Sequence, residues 1–218
     1  MYTDRKISSA VIKRLPRYYR YLGDLLDHDI TRISSKELSE KMSITASQIR
    51  QDLNNFGGFG QQGYGYNVEY LYNEIKKILS LDRTYHMIVV GGGNIGQALV
   101  NYTGFEKRGF VITAIFDVNP RLIGMTIRGV EVYDVDKMEE YVKNNKVDVG
   151  ILTLPRTAAR EVAQNLADWG VPGIWNFSHV DLHLPPTTKV ENVHLTDSLM
   201  TLLYKINEQP KPTEKENK

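Results

Sequence analysis

HMIVVGGGNIG, residues 86–96, is a short apolar run that opens into the pattern Gly-x-Gly-x-x-Gly. The pattern predicts a buried β-strand that turns sharply into a helix and binds the pyrophosphate of a dinucleotide. Gly91 allows the tight turn, Gly93 lets the backbone approach the phosphates, and Gly96 lets the helix pack closely on its strand. The first amides of that helix and its positive dipole end would face the phosphates. The predicted contacts are Gly91, Gly92, Gly93, Asn94, Ile95 and Gly96.

A second apolar run, VITAIF at residues 111–116, ends at Asp117, about 20 residues after the last glycine. At this spacing a carboxylate accepts hydrogen bonds from an adenosine ribose, so we expect Asp117 and the adjacent Val118 to contact the cofactor. The negative charge disfavours the 2′-phosphate of NADP, although the nearby Arg121 leaves NADP open. The predicted cofactor is therefore NADH or NAD+.

From residue 81 onwards, strand and helix patterns alternate, which indicates a parallel sheet covered on both faces. Further strands are predicted at residues 130–133, 147–153 and 173–177. Ligands of open α/β sheets bind at the carboxyl ends of strands, near the point where the strand order reverses. We expect the nicotinamide end of the ligand near Thr153, Leu154, Pro155, Asn176, Phe177, Ser178, Tyr102 and Phe105.

The composition limits the class of protein. The chain has 218 residues, a formal net charge of +1 and no cysteine. This length suits a modest domain plus a smaller one rather than a dehydrogenase with a full substrate domain. Without thiols, any response to redox state has to pass through a bound ligand. No apolar run reaches the ~18 residues of a membrane span and no hydrophobic signal region is present, so we expect a cytoplasmic protein.

Two start signals for short helices follow one another in the first 80 residues. Ser34 and Glu37 form a capping box, and Thr45 and Gln48 repeat the device. They predict two short helices joined by a tight turn, near residues 35–42 and 46–56. This arrangement is a helix-turn-helix.

The flanking segments complete a winged helix-turn-helix. Glycines alternate with aromatic residues over residues 56–66, which predicts a small β-hairpin wing. Residues 5–20 hold six basic and no acidic residues and follow the helical period, with Pro16 either kinking that helix or marking its first turn. Asn67 is placed to cap a last helix that closes the small core.

Side chains on the second short helix, the basic helix and the wing are candidates for contacts with base edges and phosphates. The predicted DNA-binding residues are Lys13, Arg14, Arg17, Ser47, Gln48, Arg50, Gln51, Gln61, Gln62, Gly63 and Tyr64. The alternative is a small helical interaction domain whose basic face is merely solvated.

The sequence offers no convincing catalytic or metal-binding constellation. His28 and His86 fall outside the predicted cleft, and His179, His183 and His194 fall near it without a recognisable carboxylate partner. Zinc-binding spacings, a serine nucleophile elbow and a Walker-type phosphate loop are missing. We therefore expect a binding protein rather than an enzyme.

The pattern near the end of the chain predicts a helix whose apolar face has no evident partner in the sequence. Residues 197–206 carry an apolar stripe that is too large to leave in water, which suits a dimer contact; packing onto its own domain stays open. Residues 208–218 are charged and predicted to be disordered. The expected organisation is a DNA-binding domain at 1–80, a Rossmann-like NAD(H) domain at 81–196 and a dimerisation helix at 197–207.

These motifs resemble the Rex family of bacterial redox-sensing repressors. The resemblance rests on residues 14–22, 47–53, 56–66, 91–96 and 190–193, in order and with the family's spacing. It implies a homodimer that binds a palindromic operator without NADH and leaves it when NADH binds. It also implies that the last helix is swapped between subunits. Two departures are Gln61 and Gln62, where relatives usually have basic residues, and His194, where many have Asp.

Two other classes remain open from the sequence. One is a small NAD-dependent oxidoreductase or a coenzyme-A-binding protein on a Rossmann-like sheet, which would need an acid-base residue in the cleft. The other is a scaffold with a vestigial nucleotide site, which would show no response to ligand.

Overall fold

The structure is a computed structural model that describes residues 7–56, 60–61 and 64–208. Its Cα positions separate the chain into two units, Met1–Arg83 and Thr84–Lys218. Within the described ranges, no helix is both long enough and apolar enough to cross a membrane. The predicted wing-tip residues Gln62 and Gly63 and residues 209–218 of the predicted tail lie outside the described residues.

The first unit combines helices with a small antiparallel sheet, as a winged helix-turn-helix requires. In the sheet, β3 lies between β1 and β2. The elements are α1 (Ser9–Leu26), β1 (Arg32–Ile33), α2 (Ser35–Met42), α3 (Ala46–Asn54), β2 (Gly60–Gln61), β3 (Gly65–Asn67) and α4 (Val68–Ile78). The predicted wing is the β2–β3 hairpin, and Asn67 caps α4 by accepting from the amide of Tyr70.

Helix α1 excludes one of the two sequence expectations for Pro16, that the proline marks the first turn of the helix. The helix starts after its N-cap Ser8 and continues through Pro16 to Leu26, so the proline lies in its interior rather than in its first turn. Its buried face contributes Leu15, Tyr18 and Leu22 to the core of the unit. The core is closed by residues from every other helix of the unit, among them Leu38, Met42, Ile49, Leu53, Leu71 and Ile75.

The two capping predictions had different outcomes. Ser34 and Glu37 form the complete capping box of α2, each side chain binding the other residue's backbone amide. Thr45 accepts from the amide of Gln48, but the side chain of Gln48 does not return the bond. It donates to Asp52 instead, at 2.8 Å. The second box was therefore only half correct, and α3 ends at Asn54 rather than at residue 56.

The second unit is built on a mainly parallel sheet with the order β10-β9-β8-β4-β5-β7-β6. Only β6 pairs antiparallel, with β7. Its strands are β4 (Tyr85–Val90), β5 (Phe110–Asp117), β6 (Thr126–Ile127), β7 (Val130–Asp134), β8 (Val149–Leu152), β9 (Gly173–Asn176) and β10 (Lys189–Asn192). Its helices are α5 (Asn94–Asn101), α6 (Met138–Asn144), α7 (Arg156–Asp168) and α8 (Leu195–Asn207). The expected α/β fold class is confirmed, whereas β6 and β10 were not predicted as strands.

Both faces of this sheet are covered, as the alternation of strand and helix patterns predicted. Along β4, Ile88 and Val90 enter one core, which also holds Phe116 and Leu166. Met87 and Val89 enter the core on the opposite face, with Val100, Ile115 and Ile151. This alternation fixes the register of β4 and therefore the place where the glycine loop leaves the sheet.

Helix α8 is longer than predicted and has no buried residue in the chain as described. Leu195, Leu199, Met200, Leu202, Leu203, Tyr204 and Ile206 are each about half to two-thirds exposed. A contiguous apolar surface of this kind marks an association site. The structure therefore does not support the alternative that this helix packs onto its own domain.

Candidate nucleotide cleft and nucleic-acid interface

The cleft lies where the strand order of the second unit reverses, between β4 and β8. Strands β5 and β7 continue the sheet on one side of β4, and β9 and β10 continue it beyond β8. A cavity of about 540 Å³ opens at the carboxyl ends of these strands. Its lining includes the predicted residues Gly91, Gly93, Asp117, Val118, Thr153, Leu154 and Pro155.

The turn after β4 needs glycine at residue 91. Gly91 has a φ of +103°, and a Cβ there would lie 2.7 Å from the carbonyl oxygen of Thr153. The Thr153 hydroxyl donates to the Gly91 carbonyl at 2.7 Å, which fixes the turn against the neighbouring strand. The two chain segments that form the floor of the cleft are thus joined directly.

The other two glycines of the motif have opposite surroundings. A Cβ on Gly96 would overlap the carbonyl oxygen of Gly91, so only glycine allows α5 to pack this close to the end of β4. A Cβ on Gly93 would meet nothing within 4 Å. Gly93 is the N-cap of α5, and Asn94 and Ile95 are exposed behind it. The space in front of this helix terminus is therefore open to an anionic group.

Asp117 is the last residue of β5, and its carboxylate holds the glycine loop through backbone amides. One oxygen of its carboxylate accepts from the amide of Gly92, and the other accepts from the amide of Asn119 at 2.7 Å. Each carboxylate oxygen can accept two hydrogen bonds, so the group retains acceptor sites for a ribose hydroxyl. Asp117 therefore has a structural role in the glycine loop, and contact with a ribose remains a prediction.

The polar side chains predicted at the nicotinamide end have protein partners. Asn176 is buried and donates to the carbonyl of Val180 and to the side chain of Asn192, at 2.9 and 2.8 Å. Its oxygen accepts from the amide of Ser178. The Ser178 hydroxyl in turn accepts from the amide of Leu154 at 3.2 Å. Asn176 and Ser178 therefore hold the loops beside the cleft rather than line it.

A chain of aromatic rings lies on the α5 face of the same sheet. Tyr102 and Phe105 meet edge to face at 4.9 Å between ring centroids, and Phe105 meets Trp175 at 5.8 Å. Trp175 contacts Phe177 at 4.7 Å. Tyr102 is 54% exposed at one end, whereas Phe177 is buried at the other. Trp175 was not predicted from the sequence, although its alternation with the buried Ile174 and Asn176 was a usable signal.

The described residues contain no group of three or more His, Cys, Asp or Glu side chains that could hold a metal ion. His86 lies beside Asp148 at 3.5 Å, at the amino end of β4 and therefore away from the cleft. His179 and His194 stack on each other, with ring centroids 6.0 Å apart. This pairing was not foreseen, because the two residues belong to separate loops.

In the first unit, α3 presents an exposed polar surface. Ser47, Arg50 and Gln51 are exposed, and Arg50 donates to the hydroxyl of Ser35 at 3.0 Å. Lys13 is exposed on α1, and Tyr64 is 71% exposed in the wing, directly before β3. Gln61 belongs to β2, of which only the backbone is described.

Besides Arg50, three predicted DNA contacts have side chains that bind within the unit. Arg17 donates to the carbonyl of Met42 at 2.7 Å, at the end of α2. Arg14 donates to Asp52 through Nε at 2.6 Å and Nη2 at 2.8 Å. Gln48 also donates to Asp52. The prediction for Arg14 is revised most, because its guanidinium is committed to a fully buried carboxylate.

Asp52 was assigned no role in the sequence analysis. Burial by itself would raise the pKa of Asp52, but hydrogen bonds from Arg14, Gln48 and Tyr18 lower it below the ordinary value. Burial and the bond to Asp52 raise the pKa of Tyr18 well above its usual value. Asp52 is therefore ionised, and Tyr18 is its neutral donor.

Both units match known families. A family model described as "Putative DNA-binding protein N-terminus" matches residues 6–54, and one described as "CoA binding domain" matches residues 82–180. The redox-sensing transcriptional repressor Rex of Thermoanaerobacter pseudethanolicus is 60% identical over 204 residues, which cover 94% of this chain and 91% of that protein. That of Clostridioides difficile is 59% identical over 208 residues, covering 95% and 99%. The chain belongs to the Rex family.

Solved structures of Rex-family repressors agree. The crystal structure of RSP with beta-NAD+ and operator DNA has a TM-score of 0.88 and 59% identity, covering 94% of each chain. RSP with beta-NADH has a TM-score of 0.87 and 56% identity, covering 94% of this chain and 96% of that chain. The Rex family consists of transcriptional repressors and not of enzymes, which confirms that expectation.

The two glycines of α5 give a matched test of the loop geometry. We expect Gly96→Ala to destabilise the second unit by about 1–3 kcal/mol, because its methyl group must displace the Gly91 carbonyl. Gly93→Ala should leave stability within about 0.5 kcal/mol of the parent. Both tryptophans, Trp169 and Trp175, lie in this unit, so urea unfolding followed by tryptophan fluorescence measures it selectively. Equal midpoints for the two variants would contradict the close packing.

The lowered pKa of Asp52 predicts how the first unit responds to acid. The charged form is favoured in the folded state, so its stabilisation is present above the unfolded pKa and is lost as pH falls through the lower folded pKa. We expect Asp52→Asn to cost about 3–5 kcal/mol at neutral pH, because it leaves Arg14 without its counter-charge. The difference in free energy of unfolding between parent and variant should become smaller as the pH falls below the pKa of Asp52 in the unfolded chain. Urea unfolding followed by circular dichroism measures the free energy of unfolding, and tryptophan fluorescence reports the second unit separately. A difference in free energy between parent and variant that does not vary with pH would contradict the ionised state of Asp52.

Proposed function

We propose that the protein is a transcriptional repressor that senses the ratio of NADH to NAD+, binds a palindromic operator as a homodimer, and releases it when NADH binds. The observation that carries the proposal is a dinucleotide cleft and a helix-turn-helix in one chain of the Rex family. The structures of the RSP relative with beta-NAD+ and operator DNA, and with beta-NADH, support both ligands. A repressor acts where the chromosome is, so we place the protein in the cytoplasm.

In this proposal the second unit, from residue 84 onwards, binds the cofactor. The loop of residues 91–96 receives the pyrophosphate at the α5 terminus, and Asp117 and Val118 receive the adenosine. NADH and NAD+ share these parts, so contacts with them cannot shift an equilibrium between two protein states. Discrimination must arise at the nicotinamide, which is cationic when oxidised and neutral when reduced. We place it beside residues 153–155, with Tyr102, Phe105 and Phe177 forming the aromatic wall and Asn176 and Ser178 supporting it.

The first unit would read the DNA. Helix α3 enters the major groove with Ser47, Gln48, Arg50 and Gln51, while Lys13 and Arg17 on α1 lie near the phosphates. The wing from Gln61 to Tyr64 is the remaining contact. Because α8 exposes an apolar face, it supplies the dimer contact, and a two-fold dimer suits a palindromic site. A swap of this helix between subunits would bury the exposed leucines.

The enzyme and coenzyme-A alternatives are less well supported. The "CoA binding domain" match covers the Rossmann-like fold of residues 82–180, which many functions share. The relatives that match nearly the whole chain are repressors. A scaffold with a vestigial site would not require the open approach at Gly93.

Gly93→Asp tests the coupling of the two activities. The variant places a carboxylate where the pyrophosphate is proposed to bind, in a space that the protein leaves empty, so the fold should persist while NADH binding is lost. We expect normal operator binding that added NADH no longer reverses, measured by gel-shift titration. Gly93→Ala is the control, since it adds a methyl group without charge and should weaken the NADH response less. Release of Gly93→Asp from DNA by NADH would show that the cleft is wrongly placed.

Arg50→Ala and Gln51→Ala test the recognition helix. Each should weaken operator binding by about 1–3 kcal/mol, because each removes a proposed base contact, and leave NADH affinity unchanged. Lys189→Ala removes the same charge as Arg50→Ala from an exposed position in the second unit and is the control. Fluorescence anisotropy with a labelled operator, paired with NADH titration, gives both affinities. Parent-like operator affinity in both α3 variants would exclude α3 from the DNA contact.

A further inference from the structure

Asp52 lies on α3, the proposed recognition helix, yet its side chain is fully buried. It is one of few polar or charged residues that the described core contains. An ionised carboxylate in such a place is costly unless all of its acceptor sites are used. Its partners therefore show what the buried charge accomplishes.

The carboxylate of Asp52 accepts four hydrogen bonds, which fill the acceptor sites of both oxygens. Oδ2 accepts from Arg14 Nε at 2.6 Å and from the Tyr18 hydroxyl at 2.8 Å. Oδ1 accepts from Arg14 Nη2 and from Gln48 Nε2, each at 2.8 Å. Three of the donors come from α1, whereas Gln48 belongs to α3 itself, one helical turn before Asp52. We call this set the Asp52 cluster: Arg14, Tyr18, Gln48 and Asp52.

The cluster determines the orientation of the Gln48 amide. An ionised carboxylate can only accept, so the nitrogen of Gln48 and not its oxygen must face Asp52. The amide oxygen is then left for another donor, and the second N–H of the nitrogen is left for another acceptor. An oxygen acceptor next to an N–H donor matches the N6 and N7 edge of adenine in the major groove. It does not match guanine, which presents acceptors at both positions.

The same cluster removes Arg14 from the set of cations available to DNA. Its guanidinium makes a two-pronged contact with Asp52, and only a quarter of its side-chain surface is exposed. A bidentate pair of this kind is among the stronger polar contacts in proteins. Lys13, the preceding residue, is exposed and has no such commitment to Asp52.

We propose that Asp52 is a positioning residue for operator recognition: it orients Gln48 to select an adenine and withholds Arg14 from the phosphates. The inference rests on the proposed DNA-binding function. Asp52 itself does not touch DNA in this account, because it is buried. Asp52 affects the base specificity of the protein, whereas Lys13 contributes only to its affinity for the DNA backbone.

The experiment begins by selecting the preferred palindrome of the intact protein from a random pool. Each base pair of one half-site is then substituted, symmetrically in both halves, and affinities are measured at several salt concentrations. We expect Gln48→Ala to lose about tenfold discrimination at a single position, which carries an adenine. Replacement of that adenine by guanine should weaken the parent and leave Gln48→Ala almost unaffected.

A triple variant, Arg14→Met with Tyr18→Phe and Asp52→Leu, replaces the cluster by apolar groups of similar size, which keeps the helices packed. The triple variant should lose the same tenfold discrimination at the adenine position as Gln48→Ala. Combining Gln48→Ala with the triple variant should cause no greater loss than either does by itself. Its dependence of log affinity on log salt should equal that of the parent. Lys13→Ala is the matched control, and the magnitude of its salt slope should fall by about 0.9 for each phosphate that Lys13 neutralises in the parent.

Three results would overturn the inference. A salt slope that falls in the triple variant as it does in Lys13→Ala would place Arg14 on a phosphate. Additive losses for Gln48→Ala and the triple variant would show that Asp52 does not act through Gln48. If hydrogen exchange shows that the triple variant is unfolded, Asp52→Asn combined with Arg14→Met takes its place, because neither charge is then left unpaired and an asparagine amide can donate as well as accept. An equal effect of Gln48→Ala in that background and in the parent contradicts the coupling.

Failure of the proposed function has a different signature. A parent protein that selects no palindrome would contradict DNA recognition as a whole. A parent that selects one, while Gln48→Ala keeps full discrimination at every position, contradicts only the role of the Asp52 cluster.

Discussion

The close approach of α5 to the end of β4 is the constraint on which the cleft depends. Gly96 packs against the carbonyl of Gly91, and that carbonyl accepts from the hydroxyl of Thr153, which directly follows the neighbouring strand β8. The helix terminus is therefore held at the switch point of the sheet, with Gly93 facing open space. In the proposed function this loop binds the pyrophosphate, which the oxidised and reduced cofactors share, so its contacts treat the two alike. Sensitivity to redox state has to be supplied by the less regular segments beside it.

Those segments show why a polar residue near a ligand site need not touch the ligand. Asn176 ends β9 and Ser178 follows it, at the edge where a parallel sheet binds its ligand, and this position alone suggested contact. Their side chains instead bind Val180, Asn192 and the amide of Leu154, since buried polar groups must find partners before they can serve any other purpose. Their contribution to the cleft is rigidity. In the proposed site, the aromatic wall of Tyr102, Phe105 and Phe177 is left to distinguish a planar cation from a neutral ring.

The sequence predicted those features that follow from local periodicity. The glycine loop, the alternation of strands and helices, the capping box at Ser34 and the wing all depend on residues close together in the chain, and the structure has them. It did not predict partnerships between distant residues. Arg14 and Asp52 are 38 positions apart, and only the packing of α1 on α3 pairs them. The basic residues counted along α1 therefore overstate the positive charge that is available to DNA, because Arg14 is paired with Asp52. Strands β6 and β10 were missed for a related reason: each is short, partly exposed and lacks a regular alternation.

The exposed face of α8 and the buried charge of Asp52 are opposite departures from an ordinary domain. An apolar helix left in water is unfavourable, which argues that the functional species contains a second copy of the chain. A carboxylate taken out of water is also unfavourable, and a well-packed apolar group would serve stability as well. Stability alone therefore does not explain Asp52, whereas the orientation of Gln48 does. Dimerisation and base selection are then linked. A dimer distinguishes a pair of half-sites from random sequence only if each recognition helix presents a fixed set of hydrogen-bond donors and acceptors.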